Sequence, residues 1–234
     1  MSDLAKRIAD NLAPVRERIA AAAGRSGRSA SDVTLVAVTK YVAADVAQAV
    51  LAAGCTDLGE SRPQELWAKA ETVGPDVRWH LIGHLQRNKV RRTLPLVHLI
   101  QSVDSRRLLA TLNEEATLAG QQVSVLLEAN ISGDATKTGL PPAELEPLLA
   151  DAARWPQVAI RGLMGMASGT GGESAAKRDF SRLRTLGEQL SRNLPAGVAL
   201  DELSMGMSGD YELAVEAGAT IVRVGSALFE GLPV

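Results

Sequence analysis

Apolar residues follow two patterns along this chain, a spacing of three to four residues and short continuous runs. The first 24 residues show the helical spacing, which places apolar side chains on one face. A Gly- and Ser-rich stretch, residues 24–31, interrupts this pattern. We therefore predict an amphipathic N-terminal helix over residues 1–24, packed on the rest of the fold through Leu4, Ile8, Leu12, Val15 and Ile19.

Eight short apolar runs then alternate with segments of helical spacing. Runs rich in Val, Ile and Leu are typical of parallel strands that are covered on both faces. Among the segments between them, residues 85–92 are predicted to be helical, and Ser105 is predicted to cap the helix that follows it. The eight predicted strands are residues 33–40, 56–60, 77–83, 96–103, 123–130, 158–166, 200–204 and 220–225.

Two architectures accommodate this alternation, an open doubly wound sheet and a closed barrel. An open nucleotide-binding sheet should carry G-x-G-x-x-G after its first strand, but Thr39-Lys40-Tyr41 stands there. Eight units within 234 residues suit a barrel, which typically takes roughly 250 residues. We predict an α/β fold, a single (β/α)8 TIM barrel domain over residues 1–234 with an extra N-terminal helix.

Composition narrows the classes of function. The net charge of −2 gives no basic surplus for nucleic acid, and aromatic residues are only 3% of the chain. No stretch approaches the roughly twenty apolar residues that span a membrane. The single cysteine, Cys55, excludes an internal disulfide and suits a reducing compartment. We expect a cytoplasmic globular protein.

A charged amine, Lys40, follows the first predicted strand. In a closed barrel this strand neighbours the eighth, which carries Arg223 and leads into Gly225-Ser226. The loops after strands seven and eight are the usual phosphate site of such barrels. Small residues there, including the segment 204–208, let backbone N–H groups approach an anion closely. Ser208 is predicted to cap the helix that begins at Gly209.

Each of these residues also has a purely structural interpretation. Lys40 can be a surface lysine, Gly225 a bulge, Ser208 a plain helix cap and Arg223 a salt-bridged barrel residue. Their convergence on one rim favours a phosphorylated ligand with an aldehyde or ketone, which a lysine amine binds as a Schiff base. An aldolase or lyase acting on a phosphorylated substrate would use the same groups.

Five sequence blocks resemble the signatures of the pyridoxal phosphate homeostasis proteins, a family similar to the barrel domain of alanine racemase. They run in order from the first predicted strand to the eighth, so the resemblance covers nearly the whole chain. The blocks are Val36-Ala-Val-Thr-Lys40, Leu58-Gly-Glu-Ser-Arg-Pro-Gln-Glu65, Trp79-His-Leu-Ile-Gly-His-Leu-Gln86, Ser204-Met-Gly-Met-Ser208 and Val222-Arg-Val-Gly-Ser-Ala-Leu-Phe229.

The resemblance implies that Lys40 holds pyridoxal 5′-phosphate (PLP) as a Schiff base and that Arg223 faces the pyridine nitrogen. Ser61 stands where the family often has asparagine. His80 and Met166 are the candidates for contact with the pyridine ring. The resemblance places five residues around the phosphate: Ser204, Gly206, Ser208, Gly225 and Ser226. Met207, within the same block, is also predicted to bind the cofactor.

We expect binding of PLP rather than turnover. Guanidinium only donates hydrogen bonds, so a ring nitrogen facing Arg223 stays unprotonated, and a neutral ring is a poorer electron sink. The chain also ends at Val234 without the second domain that supplies another base in alanine racemases. The predicted role is PLP storage, buffering and delivery, with apo PLP-dependent enzymes as recipients.

The alternatives are an amino-acid racemase, the phosphorylated-substrate lyase or aldolase, and a purely structural protein. A monomer is expected. A metal site is not expected, because His80 and His84 would lie roughly 13 Å apart on a strand.

Overall fold

Eight parallel strands close into a barrel in sequence order in this computed structural model, which describes residues 2–132, 138–195 and 198–232. The closure pairs the first strand with the eighth, and Val36 lies opposite Arg223. The predicted α/β barrel is confirmed. The strands are β1 (Thr34–Val38), β2 (Asp57–Glu60), β3 (Arg78–Leu81), β4 (Leu99–Val103), β5 (Val123–Glu128), β6 (Val158–Met164), β7 (Glu202–Ser204) and β8 (Ile221–Val224).

Helices surround this barrel. They are α1 (Asp3–Arg25), α2 (Ala44–Ala52), α3 (Pro63–Val73), α4 (Val90–Thr93), α5 (Arg106–Ala119), α6 (Pro142–Ala150), α7 (Gly172–Leu190) and α8 (Tyr211–Glu216). Across the described ranges, no helix combines the length and the apolar character that crossing a membrane requires.

The first helix precedes the barrel, as predicted from the spacing of its apolar residues. Its N-cap is Ser2, whose hydroxyl accepts a hydrogen bond from the Ala5 N–H. The apolar face of α1 packs against α2 and α8. This face is buried along its whole length, at Ala5, Ile8, Leu12, Val15, Ile19, Ala22 and Ala23.

Several element boundaries differ from the sequence prediction. The predicted helix over 85–92 is reduced to the single α turn of α4, between two short 3-10 turns at Arg87–Lys89 and Leu94–Leu96. Pro95 lacks the N–H that would continue α4. The Leu94–Leu96 turn also delays the start of β4 to Leu99. The predicted Ser105 cap of α5 is confirmed, since its hydroxyl accepts from the Leu108 N–H.

The barrel has two distinct cores. The larger one lies between the strands and the helices. The smaller one lies inside the barrel, where one face of every strand points, and it consists of Val36, Leu99, Leu126, Met164 and Ile221. Buried polar residues share this interior, namely Asp57, His80, Gln101, Ser204 and Arg223. The inside of the barrel is therefore partly polar.

Candidate functional site

A cavity of about 560 Å³ opens at the carboxyl ends of the barrel strands. It brings together six of the residues predicted from the sequence: Lys40, Met207, Ser208, Arg223, Gly225 and Ser226. Ser61 and Met166, both discussed as candidates for contact with the cofactor, also line it. The remaining lining residues were not predicted as site residues and are Val38, Tyr41, Val42, Ile82, Met164, Gly209 and Phe229. Apolar walls with a few convergent polar groups are typical of small-molecule sites.

Lys40 lies two residues beyond the end of β1, at the mouth of the cavity. Its side chain is exposed, and Nζ lies 4.8 Å from the centroid of the Tyr41 ring. Tyr41 itself is 81% exposed. The amine is therefore accessible to a ligand that enters the cavity.

The residue before the lysine, Thr39, is fully buried and fixed through all of its polar groups. Its N–H donates to the Gly59 carbonyl at 2.9 Å, and its hydroxyl donates to Glu60 Oε1 at 2.6 Å. Its carbonyl accepts from Lys69 Nζ at 2.7 Å. The backbone that carries Lys40 is thus held firmly, while the amine lies in the open.

Arg223 is the buried cation of the cavity wall, only 4% exposed, whereas Lys40 lies in the open. Nη1 donates to Ser204 Oγ at 2.5 Å and Nη2 donates to the Gly165 carbonyl at 3.2 Å. Burial lowers the pKa of Arg223 to about 10, although the charges of Asp210 and Glu128 oppose this, so the guanidinium is protonated at neutral pH.

Among the described residues, no carboxylate lies within ion-pairing distance of this guanidinium. A buried charge without a counter-ion is costly. A ligand that accepts hydrogen bonds would lower that cost. Arg223 is therefore suited to face an acceptor group of a bound molecule.

Ser208 connects the two small-residue loops of the rim. Its hydroxyl accepts from the Gly225 N–H at 3.1 Å. The prediction that Ser208 caps the following helix is wrong, because α8 begins at Tyr211 and Asp210 occupies the capping position. The Asp210 carboxylate accepts from the Met207 N–H at 2.6 Å, so residues 207–210 form a turn before α8 begins.

Gly225 is needed for a close approach of backbones. A Cβ at this position would lie 3.2 Å from the Val38 carbonyl oxygen. The missing side chain therefore lets the end of β8 lie close beside the end of β1, with which it pairs. The loop after β8 is thereby held beside Lys40.

Ser204 and Gly206, predicted at the phosphate, lie behind the cavity rather than on its wall. The Ser204 hydroxyl donates to Gln101 Oε1 at 2.6 Å and accepts from Arg223. Gly206 has a φ of +92°, and a Cβ there would lie 2.5 Å from the Ala214 Cβ. Glycine is required here because α8 packs closely on the end of β7.

The histidines do not share a site. His80, a candidate for ring contact, is buried and lies 2.9 Å from both Asp57 Oδ1 and Gln101 Nε2. His84 pairs instead with Asp104 at 2.8 Å. Of the two candidates for ring contact, only Met166 lines the cavity.

Glu128 is a rim residue that the sequence analysis did not single out. It ends β5, is only 4% exposed and accepts a hydrogen bond from the Thr138 hydroxyl at 2.6 Å. Burial raises the pKa of Glu128, and the Thr138 bond and the charge of Arg223 oppose that shift. A charged residue at the end of an apolar run is the same signal that identified Lys40.

The cavity can hold a ligand with an electrophilic carbonyl and an anionic group. Lys40 supplies a primary amine, while Ser208 and Ser226 supply hydroxyl donors. Arg223 supplies a fixed positive charge. The group of residues suits a phosphorylated aldehyde, because amines condense with aldehydes and because hydrogen-bond donors stabilise phosphate.

Comparison with known proteins identifies a family to which this chain is similar over nearly its whole length. A family model described as the alanine racemase N-terminal domain matches residues 11–233. The pyridoxal phosphate homeostasis protein of Pseudomonas aeruginosa is 39% identical over 224 residues, covering 95% of this chain and 94% of that protein.

Two solved structures are similar over nearly their full length. An unknown protein from Bifidobacterium adolescentis superposes with a TM-score of 0.91 at 38% identity, covering 98% of this chain and 97% of its own. The PipY protein of Synechococcus elongatus, solved with PLP bound, has a TM-score of 0.82 at 37% identity, covering 95% of this chain and 99% of its own.

Proposed function

Because this chain belongs to the family of the pyridoxal phosphate homeostasis proteins, within the alanine racemase N-terminal domain family, we propose that it binds PLP in the rim cavity and takes part in PLP homeostasis. One observation carries the proposal: an accessible lysine amine, a buried guanidinium and two hydroxyl-bearing loops line a single cavity. The PLP bound to the similar PipY protein supports this choice of ligand.

Each part of the cavity has a distinct task in this proposal. PLP supplies an aldehyde, with which a primary amine condenses to a Schiff base with release of one water molecule. Lys40 provides that amine, and the fixed backbone of Thr39 keeps it at the cavity mouth. Ser208 and Ser226, which line the cavity, would donate to the phosphate. Arg223 would donate to the ring nitrogen, as the family resemblance implies.

Little or no turnover is part of the same proposal. A donor-only guanidinium leaves a facing ring nitrogen unprotonated, which weakens the ring as an electron sink. With a pKa of about 10, Arg223 keeps its proton at neutral pH and cannot serve as an acceptor. These properties suit storage, buffering and delivery of PLP to apo enzymes. A cytoplasmic location and a monomeric state remain predictions from the sequence.

The test is to incubate the purified protein with PLP, record its absorbance and reduce it with borohydride. We expect a Schiff-base band and, after proteolysis, a mass increase on the peptide that contains Lys40. Lys40→Ala should abolish the adduct. Lys89→Ala, which changes a lysine outside the cavity, should retain it. A wild-type protein that shows only the absorbance of free PLP and gains no borohydride-fixed adduct would refute the proposal and favour the lyase or aldolase alternative.

A further inference from the structure

A chain of hydrogen bonds crosses the interior of the barrel from Arg223. Its first bond runs 2.5 Å from Arg223 Nη1 to Ser204 Oγ, and its second runs 2.6 Å from Ser204 Oγ to Gln101 Oε1. Gln101 Nε2 then lies 2.9 Å from His80 Nδ1, and His80 Nε2 lies 2.9 Å from Asp57 Oδ1. Five strands contribute to it, and all five residues are buried.

The chemistry of its two ends gives this chain a single direction. Arg223 can only donate, so Ser204 Oγ accepts from it and donates its own hydroxyl hydrogen bond to Gln101 Oε1. The Gln101 amide nitrogen can only donate, so His80 Nδ1 must accept. His80 then carries its proton on Nε2 and donates to the Asp57 carboxylate. Bonds aligned in one direction strengthen one another.

We propose that Ser204, Gln101 and His80 are positioning residues that act through Arg223, holding its guanidinium against the cavity and fixing His80 as the neutral tautomer protonated on Nε2. The proposal assigns a task to three buried polar residues that do not line the cavity. Its effect on PLP rests on the proposed function, whereas the tautomer of His80 does not.

The charged groups around His80 come from three directions. Asp57 on β2 accepts from it, and Arg78 on β3 also donates to Asp57, at 2.5 Å. The ring of His98, just before β4, lies edge-on with its centroid 5.6 Å from that of His80. Burial lowers the pKa of His98, and the positive charge of Arg78 acts in the same sense. A neutral His98 therefore adds no charge beside His80 at neutral pH.

Reversing the direction of the chain requires a second proton on His80. If the Gln101 amide were inverted, its oxygen would need a donor on His80 Nδ1. The Nε2 proton would still be required to face the Asp57 carboxylate. Only an imidazolium satisfies both contacts, so the direction of the chain and the charge of His80 change together. The substitution Gln101→Glu reverses the bond to His80 alone, because a carboxylate only accepts, and Ser204 can still donate to it.

The first experiment uses the unmodified protein without PLP. Two-bond proton–nitrogen correlation spectra of 15N-histidine-labelled protein at pH 7.5 report the protonation of each ring nitrogen. The chain has 3 histidines, and His84→Gln and His98→Gln identify the other two signals. We expect the His80 signals of a ring protonated on Nε2 alone. The opposite tautomer, an averaged signal or an imidazolium would overturn the proposal.

The second experiment compares PLP binding by Gln101→Glu and Ser204→Ala with the wild type. We expect the dissociation constant to rise about three- to thirty-fold in both, the range for coupling through an intermediate residue. The pH profile of the Schiff-base band should also shift in both variants. Gln48→Glu is the matched control, since it adds the same charge at the surface, where Gln48 donates to the Thr72 carbonyl.

The outcomes separate the two proposals. If folded Ser204→Ala binds PLP with the affinity and pH profile of the wild type, the positioning role is overturned and the proposal of PLP binding stands. Absence of PLP binding by the wild type would overturn the proposed function, and the histidine spectra would still decide the direction of the chain. If the buried carboxylate of Gln101→Glu prevents folding, Ser204→Ala and the wild-type spectra decide.

Discussion

Lys69 donates a hydrogen bond from its ammonium group to the main-chain oxygen of Thr39, the residue that precedes Lys40, over 2.7 Å. The same ammonium group lies 2.6 Å from Glu60 Oε1, and both side chains are buried. Thr39 also donates to this Glu60 oxygen. A buried ion pair between α3 and β2 therefore fixes the end of β1, from which the proposed PLP-binding amine projects.

Removing one partner of this pair should be strongly destabilising. Lys69→Met leaves the Glu60 carboxylate uncompensated, with Oε2 already lacking a partner among the described residues. We expect the free energy of unfolding to fall by about 3–5 kcal/mol, measured by urea denaturation. The double variant Lys69→Met/Glu60→Met is the control and should recover most of that loss. Equal destabilisation of the single and double variants would show that the unpaired charge is not the cause.

The loop serines should contribute to PLP affinity. Ser208→Ala and Ser226→Ala are each expected to weaken binding by about 1–3 kcal/mol, the range for a hydrogen bond to a charged group. Ser208→Ala should have the larger effect, because it also removes the acceptor of the Gly225 N–H. Titration of the Schiff-base band measures both, with the exposed and remote Ser31→Ala as control. Unchanged affinity in both variants would place the phosphate elsewhere.

Gly225→Val should lower both PLP affinity and stability. The added side chain would press on Val38 as well as obstruct the ligand, since even a Cβ would lie 3.2 Å from the Val38 oxygen. Binding and urea denaturation are therefore measured together for this variant.

Steady-state turnover should be negligible over a panel of amino acids in both configurations. The physical reason is the protonated Arg223, which leaves a facing ring nitrogen without a proton. Bound PLP should nevertheless pass to an apo PLP enzyme, because exchange needs only Lys40 and an incoming amine. Release of racemised or decarboxylated product is measured by chiral chromatography. A kcat near the roughly 10 s⁻¹ of ordinary enzymes would contradict the carrier role.

Stability should fall at acidic pH through Asp57. Burial alone would raise the pKa of Asp57, but the hydrogen bonds from His80 and Arg78 and the charge of Arg78 outweigh it and lower the pKa below 3.8. The stabilisation is complete above the unfolded value and is lost as the pH falls through the folded value. Urea denaturation between pH 6 and roughly pH 3 should show a steeper decline for the wild type than for Asp57→Asn. Parallel curves would disprove the assignment.

The barrel and much of its rim follow from the sequence because their signals are local. Each strand is a continuous apolar run, and Lys40, Ser208 and Gly225 stand just beyond the carboxyl ends of such runs. Parallel strands bring those ends together once the barrel closes. The predicted cap at Ser208 is wrong because α8 begins only at Tyr211, and the Ser208 hydroxyl accepts instead from the Gly225 N–H.

Contacts inside the barrel could not be predicted in the same way. A strand directs successive side chains to opposite faces, so the sequence did not show that Ser204 lies behind Arg223 rather than on the cavity wall. Gln101 is visible as a polar residue within an apolar run, but its partner Ser204 is 103 positions away along the chain. Such pairings depend on the register of all eight strands.

The pairing of β1 with β8 has a consequence for synthesis of the protein. Lys40 follows the first strand to leave the ribosome, whereas Arg223 and the loop after it belong to the last of the eight. A nascent chain whose β8 is still inside the ribosome therefore has the Lys40 amine but lacks the rest of the cavity. PLP should therefore not guide the early stages of folding. It should instead stabilise the completed barrel against unfolding, because its binding requires that β1 and β8 have already paired.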